Sequence, residues 1–107
     1  MASTQTQIQT GDITISAALY DWIKDFPLLL LALHGAVIKH QRGHWGLVDP
    51  IEAGLNDLGR YREDASLSAE ESLQHRGPLM SLWNVGELII SITTNPERTG
   101  TRIALHS

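Results

Sequence analysis

The stretch from His40 to Pro50, His-Gln-Arg-Gly-His-Trp-Gly-Leu-Val-Asp-Pro, constrains this chain more than any other. It stands where an apolar, helix-like half stops and the next element begins. Glycine at 43 and 46 permits a left-handed backbone or a close approach that other residues resist. Trp45 between them brings a large apolar area and one N–H that needs a partner when buried. The sequence therefore predicts a structural joint: a helix end, a turn pinned by an aromatic, and a new helix start. The competing reading is a surface loop that presents Arg42, His44 and Trp45 to a ligand.

Upstream of the joint the pattern is helical. Asp12-Ile13-Thr14-Ile15 alternates and is β-branched, which suits a short strand. Ser16 is a good N-cap for a short helix through about Asp25, with Leu19, Trp22, Ile23 and Phe26 along one side. Pro27 suits the first turn of a second helix running to about Gln41. Its apolar residues, Leu28 to Leu31, Leu33, Val37 and Ile38, go almost all the way round, as in a central buried helix. His34 on such a helix is expected to be a hydrogen-bonded core residue.

Downstream, Asp49-Pro50-Ile51-Glu52 reads as N-cap, proline at the first helical position and an acid at N3. The helix it starts should end near Arg62, with Ile51, Leu55 and Leu58 on one apolar face and Asn56 at its edge. A second capping box, Ser68 to Glu71, predicts a short helix through about His75, ended by Gly77-Pro78. After Pro78 the period changes to two. Leu79–Trp83 and Leu88–Thr93 form a hairpin around Asn84–Glu87. Thr101–Leu105 is the next strand after a longer turn. Leu88, Ile90, Ile92, Ile103 and Leu105 share one face. The expected fold is a single α+β domain over residues 11–107, its N-terminal helices packed on a C-terminal three-stranded antiparallel sheet. Residues 1–10 read as a flexible or edge-strand arm.

Composition narrows the function classes. The chain has 107 residues, enough for one modest core. With 8 basic and 12 acidic residues its formal charge is −4, which disfavours a duplex-coating protein. The absence of cysteine removes disulfides, thiol nucleophiles and Cys-ligated zinc. The apolar run from Phe26 to Leu33 is too short to span a bilayer, and it lies behind acids rather than a basic N-terminus. An intracellular domain with no membrane partner is expected.

Several residue sets carry chemistry. His40 and His44 are four apart, as helical zinc ligands can be, with Asp49, His34 or His75 as a third ligand. Gly43 and Gly46 break the helix that this would need, so a small metal-dependent or hydrolytic enzyme using His40 and His44 is the alternative reading. No nucleophile elbow and no phosphate-cradling glycine loop is present. Arg76, Arg98 and Arg102 gather in the β-rich part beside Trp83 and His106, and a single strand is held by just such a basic surface with an aromatic platform. The plainer reading leaves Trp83 in the core and the arginines solvated. An acidic helix surface, from Asp49, Glu52 and Asp57 to Glu70 and Glu71, is a second candidate for meeting a basic channel.

Taken together, His40, Gly43, Trp45 and Gly46; Asn56; Ser81-Leu82-Trp83; Ile89 to Thr93; and Glu97-Arg98-Thr99-Gly100-Thr101 resemble a family of small proteins carried on plasmids and other mobile elements. The resemblance extends from about Gly11 to Leu105. It implies a mobile-element origin and, by class, a non-enzymatic inhibitor of a host defence system, similar to anti-CRISPR proteins. The expected partner is then a CRISPR-Cas effector complex, another defence protein or single-stranded DNA in the bacterial cytoplasm. The expected contacts are Arg42, His44, Trp83, Arg98 and Arg102, with no cofactor, metal or catalytic residue.

Overall fold

The computed structural model describes residues 8–64 and 77–106, with 59–64 by backbone alone. Its elements run β1 (Asp12–Ile15), α1 (Ala17–Ile23), α2 (Pro27–Gln41), α3 (Pro50–Asp64), β2 (Leu79–Val85), β3 (Leu88–Thr94) and β4 (Gly100–Leu105). The helix expected over 68–75 lies outside the described residues.

Helix starts follow their local signals. Ser16 Oγ accepts from the Leu19 amide at 3.2 Å, and Asp49 Oδ1 accepts from the Glu52 amide at 2.8 Å. Pro27 opens α2, where its missing N–H costs nothing. The end of α2 is a Schellman turn. Gly43, at φ +83°, donates to the His40 carbonyl, and His44 donates to that of Lys39. The chain then runs alongside β2: the Leu82 amide donates to the Trp45 carbonyl and the Leu47 amide to that of Leu82. This short pairing covers the outer edge of the sheet.

The sheet is four-stranded, in the order β1-β4-β3-β2. β2, β3 and β4 form the expected antiparallel meander, with Val85 opposite Leu88 across a tight turn at Gly86 and Thr94 opposite Thr101. The expectation of three strands is corrected by β1, which pairs in parallel with β4, Ile13 opposite Thr101. That pairing joins opposite ends of the chain, and neither segment carries a local signal for it.

One face of this sheet and the helices α1 and α2 enclose the core: Leu19, Ile23, Leu33, Ala36, Val85, Ile90, Ile92 and Ile103. Ile8, Trp45 and Leu79 form a second cluster, with Val48 and Ala53 against it. Three burial expectations are corrected. α2 is not central: it buries Leu33, Ala36 and His40, while its other side stays open, because a two-layer domain covers one stripe per helix. His34 is exposed, and the core histidine is His40. α3 turns Asn56 inward and leaves Ile51, Leu55 and Leu58 exposed. Asn56 sets that rotation. Its Nδ2 donates to the Met80 carbonyl at 2.7 Å and its Oδ1 accepts from the Met80 amide, so it satisfies two backbone groups of β2 that need partners.

Candidate functional site

The residues singled out by the motif converge on the C-terminal end of α2, in two layers. The inner layer is a chain of polar side chains with no exposed member at its centre. His40 Nδ1 lies 2.7 Å from Ser81 Oγ and its Nε2 lies 2.9 Å from Thr94 Oγ1. Trp83 Nε1 donates to Ser81 Oγ at 2.7 Å, and Thr101 Oγ1 bonds both Thr94 Oγ1 and the Thr10 carbonyl at 2.8 Å. The strand period explains the gathering. Ser81 and Trp83 are two apart on β2, and Thr94 and Thr101 face each other across β3 and β4.

The direction of the chain is fixed by its ends. A carbonyl only accepts, so Thr101 spends its hydrogen on Thr10 and accepts from Thr94. Thr94 then has no hydrogen left, and His40 Nε2–H donates to it. An indole N–H only donates, so Ser81 accepts from Trp83 and directs its own hydrogen to His40 Nδ1. This logic assigns His40 as the neutral Nε2–H tautomer. Electrostatics agree: burial, and secondarily the positive charge of Arg98, lower its pKa to about 4. Trp45 packs edge-on against the imidazole at 5.7 Å, and its own Nε1 donates to Asp57 at 2.9 Å. Both ring nitrogens of His40 are thus committed, so a His40–His44 metal or hydrolytic pair would have to break this chain. Among the described residues, no group of three or more His, Asp or Glu is placed to hold a metal ion.

The outer layer is an open cleft of about 450 Å³ lined by Lys39, Arg42, His44, Trp45, Gly46 and Trp83. Among the described residues, no carboxylate lines it. Arg42 and His44 are exposed, Trp83 is half-buried on the core-facing side of β2, and the Lys39 ammonium lies 5.7 Å from the Trp83 ring centre. Gly46, at φ +67°, is required here: a Cβ would meet the Leu82 carbonyl oxygen at 2.0 Å and the Trp83 ring at 3.0 Å.

Of the five expected contact residues, the fold therefore brings three together, Arg42, His44 and Trp83. Arg98 is corrected. It is buried, its Nη1 donating to the carbonyls of Gly77 and Asn95 at 2.9 Å each, because the β3–β4 turn folds it inward at φ +60°. Arg102 is exposed but, by strand alternation, lies on the opposite side of the sheet from Trp83. Lys39 was missed, although its place three residues before Arg42 puts both on one side of the helix end.

No family model matches the chain, and no curated protein or solved structure is similar to it at a significant level. Among the described residues no helix is long and apolar enough to cross a membrane.

Proposed function

We propose that this protein is a non-enzymatic binding module whose cleft takes single-stranded nucleic acid. One observation carries the reading: on a chain of net charge −4, the described residues that line the cleft include Lys39, Arg42 and His44 and no acid, and a tryptophan forms its wall. Phosphates fit the cations, and an unpaired base fits the ring of Trp83, from which Lys39 swings to a phosphate. A duplex, with its bases stacked inside, offers the cleft only phosphates.

The test is fluorescence anisotropy with labelled single- and double-stranded oligonucleotides. Binding of the single strand is expected in the micromolar range, and raising salt from 50 to 200 mM should weaken it about 7-fold for two phosphate contacts. Equal binding of both forms, or none at 100 μM protein, removes the reading. That such binding serves to inhibit a host defence complex in the bacterial cytoplasm, as an anti-CRISPR protein does, is supported by the mobile-element resemblance alone. Phage plaquing on a host with an active CRISPR-Cas system tests it. Restored plaquing is expected, and unchanged plaque counts from a binding-competent protein count against inhibition.

A further inference from the structure

The ring of Trp83 is held at two edges. Its Nε1–H donates to Ser81 Oγ at 2.7 Å, two residues back on the same face of β2. On its benzene side, Cδ2 and Cε3 lie against Gly46, 3.0 Å from where a Cβ on that glycine would stand. Between these edges the ring lines the cleft, with the Lys39 ammonium 5.7 Å from its centre. Trp83 is only half-buried where it packs against the core. An indole on a strand has more than one χ1 well open to it, and the hydrogen bond selects one.

Ser81 can hold the indole because it is itself held. Ser81 and His40 are both fully buried, and Ser81 turns its own hydrogen to His40 Nδ1 across 2.7 Å. With that hydrogen spent on the imidazole, the serine oxygen keeps a lone pair toward the indole. We propose that Ser81, oriented by His40, is the positioning residue of the cleft, fixing the Trp83 ring as its wall before any ligand arrives. Ser81 is buried and acts through the ring alone. A ring that is already immobilised loses no rotamer freedom when a base stacks on it, and that saving appears as affinity. The effect on affinity rests on the nucleic-acid reading of the cleft; the effect on the free protein does not.

NMR relaxation of the indole ¹⁵N–H groups in the ligand-free protein tests the positioning, with the other two tryptophans as standards. Trp45, buried and bonded to Asp57, is the rigid one, and Trp22, 59% exposed, the mobile one. The heteronuclear NOE of Trp83 is expected to match that of Trp45 in the wild type and to fall toward that of Trp22 in Ser81→Ala. Single-strand affinity of Ser81→Ala should fall about 2- to 12-fold, the range for one side chain immobilised on binding. Its salt slope should not change, because Lys39 and Arg42 are untouched. Thr101→Val removes a buried hydroxyl at the far end of the same chain and controls for lost stability; it should keep both the Trp83 NOE and the affinity. Should Ser81→Ala not fold, Ser81→Cys fills the space with a weaker acceptor and should show the same changes to a smaller degree. A wild-type Trp83 as mobile as Trp22 overturns the proposal. An unchanged NOE in the folded Ser81 variant overturns it too, because core packing then holds the ring. So does a loosened ring that binds as tightly as the wild type, or an equal loss of affinity in Thr101→Val. A wild type that binds no oligonucleotide overturns the cleft reading instead, and the NOE still decides whether Ser81 positions the ring.

Discussion

Acid should destabilise this fold through His40. In the folded chain its pKa is lowered to about 4, chiefly by burial, whereas the unfolded value is 6.5. Between those two values the unfolded chain binds the proton that the folded chain refuses. The contribution is fully present above pH 6.5 and is lost as pH falls to about 4. At 1.36 kcal/mol per unit, the loss is about 3 kcal/mol, a large share of the 5–15 kcal/mol typical of a domain. The hydrogen-bond chain gives the structural reason. Ser81 donates to Nδ1, so a proton placed there meets another hydrogen until the hydroxyl turns away from its partner. Urea unfolding of the wild type and of His40→Gln, at pH 7, 6, 5 and 4, reads the effect as a difference. All other groups are common to the two proteins, so the difference isolates residue 40. The wild type should lose about 3 kcal/mol more than the variant over this range. Should the variant not fold, the imidazole ¹⁵N shifts of the wild type report the same fact: an Nε2–H tautomer that stays neutral down to pH 5. Parallel stability profiles, or a His40 that titrates near 6.5, would refute the reasoning.

Three further outcomes are expected. Thr101→Val removes the hydroxyl that links Thr94 to the Thr10 carbonyl and strands buried groups on both sides, so it should cost about 1–3 kcal/mol in denaturant unfolding; a loss under 0.5 kcal/mol would show that water replaces the link. Asp49→Ala removes the cap of α3 and should cost about 1 kcal/mol, checked by the thermal midpoint. Trp45→Ala opens a void beside His40 and removes the hydrogen bond to Asp57, and a loss of about 3–5 kcal/mol is expected by calorimetry; a variant that keeps wild-type stability would make Trp45 a contact residue instead.

Local grammar was legible in the sequence. Ser16, Pro27, Asp49 and Gly43 mark helix ends because caps act within a few residues, and the tight turn at Gly86 needs no distant partner. The joint at 40–50 folds as its two glycines and tryptophan require. Long-range geometry was not legible. No residue near Ile13 signals a parallel pairing with β4. Apolar periodicity put Ile51, Leu55 and Leu58 inward, but one asparagine bonded to both backbone groups of Met80 rotates α3 the other way. Of the site, Arg42 and His44 were legible as neighbours of the turn, and Trp83 as the aromatic of β2. Arg98 and Arg102 misled for opposite reasons: a tight turn buries the first, and strand alternation sends the second to the far side of the sheet. The His40 chain is made of serine and threonine hydroxyls, whose partners depend on sheet register alone.

The cleft itself is tested most directly through the indole N–H signals of Trp22, Trp45 and Trp83, the three tryptophans of the chain. They are assigned by conservative Trp→Phe replacement and followed by NMR during titration with a short single-stranded oligonucleotide. Cleft binding predicts that the Trp83 signal moves and saturates in step with the ligand, that Trp45 at the cleft wall follows by less, and that Trp22 on α1 stays fixed. A titration that moves Trp22 and leaves Trp83 in place, or that moves none of the three, would contradict it.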